Sequence, residues 1–224
     1  MLHPSPSSHH TQFLTIEGGE GVGKSFLSNG LKARLEVLGH RVKLTREPGG
    51  TPLADSIRQL FLNPPEKPNA IAELFLVSAA RAQHVESLIE PSLRAGQWVI
   101  CDRFYDSTRV YQGDLGKVPG ETLESVIAHS VQGCHPSLTF VLDCPADIAR
   151  KRVFSRAKEL YSEAGNRYDE GPSEMYEALR QAFLKRAREF PERIVIIDAS
   201  QSPEHVLDAA WSQLAKRLTV TAKA

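Results

Sequence analysis

The segment from Gly18 to Ser25 constrains the fold more than any other part of this sequence. It reads GGEGVGKS and fits the phosphate-binding pattern G-x-x-x-x-G-K-[ST]. A glycine-rich turn with an incidental lysine would match the same letters. Here, however, the match lies between the apolar run Phe13–Glu17 and leucines at helical spacing. This context predicts a strand, a phosphate-binding loop (P-loop) and a helix, and therefore a nucleotide site.

The chemistry of such a loop assigns a role to each residue type. Glycines let the backbone curl so that its N–H groups converge on phosphate oxygens, and the helix adds its positive N-terminus. Lys24 is expected to reach the β- and γ-phosphates, and the Ser25 hydroxyl is expected to ligate Mg²⁺. The residues predicted to surround the ATP phosphates are Gly18, Gly19, Glu20, Gly21, Val22, Gly23, Lys24 and Ser25.

Four more short segments are predicted to be strands, the last three of them apolar on both faces, and a helical pattern separates each from the next. The segments are Val42–Thr45, Trp98–Cys101, Leu138–Leu142 and Ile194–Ile197. Strands that are apolar on both faces and joined by helices favour a parallel sheet with helices on each side. We therefore predict an α/β protein with a five-stranded parallel sheet.

The helical patterns carry recognisable boundaries. Gly39 is expected to end the first helix, and Ser202 followed by Pro203 is expected to begin the last. The long pattern from Ile71 to Leu93 contains Pro91, which predicts a kink. We expect a flexible leader over residues 1–11, one domain over 12–220, and a mobile polar flap, or lid, at about 155–172.

Composition excludes some classes of function. The 224 residues carry 27 Lys+Arg and 27 Asp+Glu, which argues against a protein that coats nucleic acid or an anionic membrane. The longest uncharged stretch, residues 125–142, is too polar for a membrane span, and the N-terminus lacks the pattern of a signal peptide. Three cysteines without metal-site spacing favour buried thiols in a reducing cytoplasm.

A P-loop alone does not choose between a GTPase, a motor ATPase and a small-molecule kinase. A GTPase needs an Asn/Thr-Lys-x-Asp segment after a late strand. The strand that ends at Asp143 is followed instead by Cys-Pro-Ala-Asp.

The segment after the Trp98–Cys101 strand narrows the choice. Asp102 stands where P-loop proteins hold the Mg²⁺ shell, and Arg103 beside it can clamp a phosphate. If a helix continues from there, Ser107, Thr108 and Tyr111 share one face and point into one pocket. The alternative is an N-capping aspartate beside a surface arginine.

In combination, these segments resemble the bacterial thymidylate kinase family, whose members phosphorylate dTMP with ATP. The matching segments are the P-loop with an internal glutamate, Thr45–Thr51, Ala79–His84 and Asp102–Gly113, and the resemblance covers residues 13 to 218. It implies a three-layer P-loop NTPase fold, Mg²⁺, formation of dTDP for dTTP synthesis, and a homodimer packed through helices.

The resemblance also implies roles at the phosphates and the metal. Asp102 would organise Mg²⁺ together with Ser25, and Arg103 would bridge the donor and acceptor phosphates. For Arg46 two roles stay open, a phosphate contact and an ion pair with Glu47.

At the nucleoside, the resemblance implies that Glu20 accepts a hydrogen bond from the 3′-hydroxyl and that Arg81 donates to a thymine carbonyl. Thr108 would lie at the N3 edge of the base, and Gln112 would belong to the same substrate site. Tyr111 would pack on the sugar and crowd out a 2′-hydroxyl.

One position departs from the family pattern. Four residues before Arg81 the family usually has a phenylalanine that stacks on thymine, and this chain has Val77. Phe75 is rotated by about 200° on a helix and cannot replace it. Weaker dTMP binding, an altered base preference, and stacking by another ring such as Phe104 are the open consequences.

The family also divides by the position of a catalytic arginine. Some members carry it in the P-loop, where this chain has Gly21, and others carry it in the lid, where this chain has Arg167. The chain resembles the lid type, in which the arginine arrives on closure and helps to exclude water. A solvated flap charge is the alternative for Arg167.

Two other functions remain open on sequence grounds. One is a kinase for a different nucleoside monophosphate or for a deoxynucleoside, and the other is a P-loop regulatory or assembly ATPase. For the kinase that the resemblance implies, we expect a locally positive pocket inside a chain of zero net charge.

Overall fold

The computed structural model describes residues 11–159 and 173–221. Its five strands form one parallel sheet in the order β2-β3-β1-β4-β5. The strands are β1 (Phe13–Glu17), β2 (Val42–Arg46), β3 (Trp98–Asp102), β4 (Leu138–Asp143) and β5 (Ile194–Asp198). This confirms the predicted five-stranded parallel sheet, with each strand within one residue of its expected bounds.

Helices connect the strands and cover the sheet. They are α1 (Lys24–Val37), α2 (Pro52–Leu62), α3 (Ala70–His84), α4 (Glu90–Arg94), α5 (Tyr105–Thr108), α6 (Gly120–Val131), α7 (Ala146–Glu159), α8 (Ser173–Glu189) and α9 (Pro203–Thr221). Gly39 follows α1 with φ +84°, and the Ser202 hydroxyl accepts the His205 N–H at the start of α9. Both boundaries agree with the sequence prediction.

Side chains alternate between the two faces of β1 and build a core on each. Leu14 and Ile16 pack with the buried leucines of α1 and with α9. Phe13 points the other way and packs with residues of α3 and α6. Burial on both faces explains the largely apolar sequences of the central strands β1, β3 and β4, and it gives the three layers expected of this fold.

The long helical pattern before β3 is not one α-helix. A π-helical segment, Val85–Ile89, separates α3 from α4. Pro91 has no N–H to donate, and the helix widens just before it. A second π-helical segment, Arg109–Leu115, continues α5 and carries Tyr111 and Gln112.

Parts of the predicted leader and flap lie outside the described residues. Of the leader, Thr11 is described, and its carbonyl accepts the Ser137 hydroxyl. Helix α7 continues to Glu159, so residues 155–159 of the predicted flap are helical. The rest of the flap, with Arg167, is not described.

The carboxyl ends of β1, β2 and β3 meet at one edge of the sheet, where the functional side chains gather.

The three cysteines are buried with free thiols, as predicted. In the described ranges, no helix is both long enough and apolar enough to cross a membrane.

Candidate active site

A cavity of about 650 Å³ opens at this edge of the sheet. The residues predicted for the substrate, the metal and much of the P-loop line it together. They are Glu20, Gly21, Gly23, Lys24, Ser25, Arg46, Val77, Arg81, Asp102, Arg103, Thr108, Tyr111 and Gln112. Gly18, Gly19 and Val22 line a narrower pocket on the other side of the P-loop, against β4 and α8.

The P-loop has the strand–loop–helix context that its sequence predicts. Gly23 is the N-cap of α1 with φ +96°, a left-handed conformation that glycine adopts at little cost. The Lys24 ammonium is buried and donates to the carbonyls of Gly18 (3.3 Å) and Gly19 (2.7 Å). Burial lowers its pKa, and the neighbouring Arg103 charge lowers it further. The loop therefore holds a cation at the N-terminus of a helix, where phosphate binds best.

Arg103 extends across the mouth of the P-loop. Its Nη1 donates to the Gly18 carbonyl (2.9 Å) and to the Ser107 hydroxyl (3.2 Å), and its Nη2 donates to Glu20 (2.6 Å). The guanidinium carbon lies 5.2 Å from the centroid of the Tyr111 ring. Burial alone would lower the pKa of Arg103, but the nearby groups Glu20, Tyr111 and Asp102 together raise it by more, so the guanidinium stays charged.

Asp102 ends β3 beside the P-loop. Its buried Oδ1 atom accepts no hydrogen bond from the part of the chain that the structure describes. The Ser25 side chain is exposed and lines the same cavity. A carboxylate oxygen and a hydroxyl are ligands that Mg²⁺ accepts, so these two residues fit the metal that the P-loop pattern implies.

Arg81 is the centre of a buried polar cluster at the other end of the cavity. Its Nε donates to Glu47 (2.8 Å) and its Nη2 donates to Thr108 (2.9 Å). Glu47 also lies 3.1 Å from His84 Nδ1. The buried Nη1 of Arg81 has no hydrogen-bond partner among the described residues. The cluster thus fixes the guanidinium and leaves one donor for a ligand.

Gln112 and Val77 complete this end of the cavity. The Gln112 side chain is buried and its Nε2 donates to Glu73 (3.0 Å). Val77 lines the cavity, whereas Phe75 is 55% exposed and is not among the lining residues. The α-helix thus separates the two positions as its geometry requires. Phe104 is fully buried and packs edge-on against Phe13.

The suggested ion pair between Arg46 and Glu47 is wrong. Glu47 turns inward to Arg81, and Arg46 turns outward to Asp55, at 3.6 Å. Consecutive residues of an extended chain point to opposite sides, so the two side chains could not meet. Arg46 still lines the cavity, which keeps the phosphate contact as its expected role.

Two residues of the site were missed at the sequence level. Arg58 of α2 lines the cavity and donates to the Pro48 carbonyl (2.9 Å). Burial lowers its pKa, and the charge of Arg46 lowers it further. The sequence did contain a signal for this residue, because Arg58 lies in the helical pattern that directly follows the glycine-rich loop. With Arg58, the described residues that line the cavity include five basic side chains and three carboxylates, so this lining is locally positive.

The second missed residue is Glu17, at the end of β1. Its side chain is fully buried and accepts hydrogen bonds from the Phe104 N–H (2.8 Å), the Ser107 N–H (3.3 Å) and the Ser107 hydroxyl (2.6 Å). Burial, and then the charge of Asp106, raise its pKa to about 7. An acid ending an apolar strand was the signal for it.

The family model for thymidylate kinase matches residues 16–210. A thymidylate kinase of Rhodopseudomonas palustris is 42% identical over 99% of this chain and 96% of the relative. A thymidylate kinase of Chromohalobacter salexigens is 43% identical over 92% of this chain and 96% of the relative. The crystal structure of thymidylate kinase from Ehrlichia chaffeensis superposes with a TM-score of 0.72 at 28% identity, covering 90% of this chain and 97% of that one.

Proposed function

Because this chain belongs to the thymidylate kinase family, we propose that it transfers the γ-phosphoryl group of ATP to dTMP, giving dTDP and ADP for dTTP synthesis. The observation that carries the proposal is the cavity, which has a P-loop at one end and a fixed arginine donor at the other. Arg81 offers its Nη1 to a base, while Lys24 lies at the phosphate end.

The reaction needs positioning and charge neutralisation more than acid–base chemistry. An oxygen of the dTMP phosphate attacks the γ-phosphorus of ATP, a new P–O bond forms, and the bond to the β-phosphate oxygen breaks to release ADP. The acceptor phosphate is already an anion, so no side chain has to remove a proton. Lys24, Arg103, Arg46 and Arg58 hold the phosphates and offset their charge.

Base selection follows from the donors and acceptors at the buried end. Arg81 Nη1 donates to the C4 carbonyl of thymine, and cytosine has an amino group there, which is itself a donor. Thr108 and Gln112 bound the same edge of the base. The Glu20 carboxylate accepts a hydrogen bond from the 3′-hydroxyl of the sugar, and the ring of Tyr111 packs against the sugar.

Mg²⁺ is proposed as the metal partner of ATP, held by Asp102 and Ser25. When bound, the ion neutralises phosphate charge and orients the β- and γ-phosphates. Arg167, outside the described residues, is proposed to arrive on a closing lid and to offset charge in the transition state.

A homodimer is proposed through α2 and α3, which pack against each other. Leu53 and Leu60 of α2 and Ile71 and Phe75 of α3 are large apolar side chains that remain exposed. A second copy of the chain would cover this apolar surface, consistent with the helix-packed dimers expected from the family resemblance. A cytoplasmic location is also proposed, since three buried free thiols suit a reducing compartment.

One assay tests the activity and its substrate together. ADP release is followed with ATP and Mg²⁺ while dTMP, dUMP, dCMP, dAMP and dGMP are offered in turn. We expect release that depends on the monophosphate and is fastest with dTMP. Substantial turnover without any acceptor, and without stimulation by a monophosphate, would favour a regulatory P-loop ATPase and contradict the proposal.

A further inference from the structure

We propose that Glu17 is a positioning residue that holds the Arg103 guanidinium in the cavity through the Ser107 hydroxyl and anchors the loop that carries both. The inference rests on the proposed kinase activity, in which Arg103 contacts the phosphates. Glu17 does not line the cavity, so it acts only through its neighbours.

The contacts form a continuous chain of hydrogen bonds. Arg103 Nη1 donates to Ser107 Oγ (3.2 Å), and Ser107 Oγ donates to Glu17 Oε2 (2.6 Å). The other carboxylate oxygen of Glu17 accepts the N–H groups of Phe104 and Ser107. Both oxygens of one buried acid are therefore committed to the same five-residue stretch of chain after β3.

This stretch needs an anchor because its backbone is strained. Arg103 has φ +68°, a left-handed conformation that is unfavourable in free energy for any residue other than glycine. The Arg103 N–H donates to the Ile16 carbonyl on β1, next to Glu17. Bonds from β1 thus offset the strain on both sides of Arg103 and fix the direction in which its side chain leaves the backbone.

The charges around Glu17 make this anchor sensitive to pH. Asp106 of α5 opposes its ionisation, whereas Arg103 of the loop, the Ser107 hydroxyl and the Phe104 N–H favour it, and Lys24 of α1 is the nearby cation across the P-loop. Asp106 is itself held ionised by Arg193 and Arg109. With its pKa raised to about 7 by burial first and by Asp106 second, Glu17 gains a proton just below neutral pH and loses an acceptor.

The test measures kcat and KM for dTMP from pH 5.5 to 8.5 in the full chain and in Glu17→Gln, Ser107→Ala and the double variant. The titration of the dTMP phosphate is common to all four proteins, so ratios to the wild type cancel it. At pH 8 we expect Glu17→Gln to lower kcat about tenfold, with the deficit shrinking towards pH 5.5 as wild-type Glu17 becomes neutral.

Ser107→Ala gives an independent readout that does not depend on the glutamine variant folding. The hydrogen bond from Ser107 favours the ionised Glu17 carboxylate. Its loss should therefore move the acid limb of the pH profile, where kcat falls as Glu17 gains a proton, to higher pH by about one pH unit. The double variant should be no slower than Glu17→Gln within about twofold, because both changes break the same chain of contacts. Ser130→Ala, which removes a buried hydroxyl bonded to the Ile127 carbonyl, is the matched control and should change neither kcat nor the limb.

Three results would overturn the inference: a Glu17→Gln deficit that is constant with pH, an acid limb unmoved in Ser107→Ala, or multiplicative losses in the double variant. Failure of the proposed function is distinct from these, since the wild type itself would then show no dTMP-dependent ADP release at any pH.

Discussion

Val77 is the residue where this chain departs most plainly from the family pattern. It lines the cavity together with Arg81, and the family resemblance implies a stacking ring at this position. Phe104 also lines the cavity, but its ring is fully buried and packs edge-on against Phe13, and Phe75 is not among the lining residues. The base end of the cavity therefore offers an aliphatic wall at this position, and we expect a KM for dTMP that is raised by the missing stack.

Val77→Phe should lower the KM for dTMP about fivefold and leave kcat within about twofold. An aromatic pair contributes ~1 kcal/mol beyond burial, which is a factor of about five. Steady-state kinetics with dTMP varied at saturating ATP measure the change. Val77→Leu is the control, because it adds volume without a ring. An equal gain in Val77→Leu, or no gain in Val77→Phe, would contradict the stacking argument.

Glu17 gives the second prediction at this scale, now for stability. Its carboxyl has an ordinary pKa of 4.5, and burial, with the charge of Asp106, raises the pKa to about 7 in the folded protein. Folding therefore favours the protonated form. The stabilising effect is complete below pH 4.5 and is lost as the pH rises to 7, up to ~3 kcal/mol from a difference of this size.

Urea unfolding of the wild type and of Glu17→Gln, from pH 4.5 to 8, measures this effect. The free energy of unfolding of the wild type should fall relative to that of the variant between pH 4.5 and 7, and should then level off. Parallel curves for the two proteins would show that Glu17 does not titrate in this range. A buried acid that weakens the fold at neutral pH is retained where function needs its charge.

At the scale of elements, helix α7 explains why position 21 of the P-loop is glycine, where the family resemblance implies an arginine in some members. Gly21 has φ +75°, and a Cβ atom there would lie 2.2 Å from the Ala149 carbonyl of α7. Helix α7 therefore closes over the loop at this point. An arginine in the P-loop requires a different approach of α7, which fits a chain whose expected catalytic arginine is in the lid.

Gly21→Ala should lower Tm by ~2–12 °C and raise the KM for ATP, because strain of ~1–3 kcal/mol is added at a backbone clash. Differential scanning fluorimetry and ATP titration measure the two effects. Gly120→Ala is the control: Gly120 begins α6, and an added Cβ meets nothing within 4 Å. A Gly21→Ala protein as stable as Gly120→Ala would show that α7 moves freely from the loop.

How much of the site the sequence predicts depends on how local each contact is. The P-loop and the Asp102–Arg103 pair can be predicted from the sequence because each is a run of neighbouring residues at the end of a strand. The partners of Glu17 lie some ninety residues along the chain, and only the pairing of β1 with β3 brings them together. The suggested Arg46–Glu47 ion pair was wrong because the side chains of two consecutive residues in an extended chain point to opposite sides.

On the scale of the whole molecule, zero net charge conceals an uneven distribution. The cavity gathers more basic than acidic side chains, so the compensating acids lie elsewhere on the chain. Apolar surface is distributed unevenly as well. Four of the large exposed apolar side chains lie on the adjacent helices α2 and α3, at Leu53, Leu60, Ile71 and Phe75. A patch of this kind usually marks a protein interface.

The double change Ile71→Ser and Phe75→Ser should therefore convert a dimer into a monomer. Sedimentation velocity should give twice the chain mass of 24.8 kDa for the wild type and the single mass for the variant. Leu38→Ser removes an equally exposed leucine at the end of α1, away from α2 and α3, and should leave the dimer intact. A wild type that sediments as a monomer, or a variant that stays dimeric, would refute this interface. Because α3 also carries Arg81, the monomer should bind dTMP less tightly than the dimer if the interface holds that helix in place.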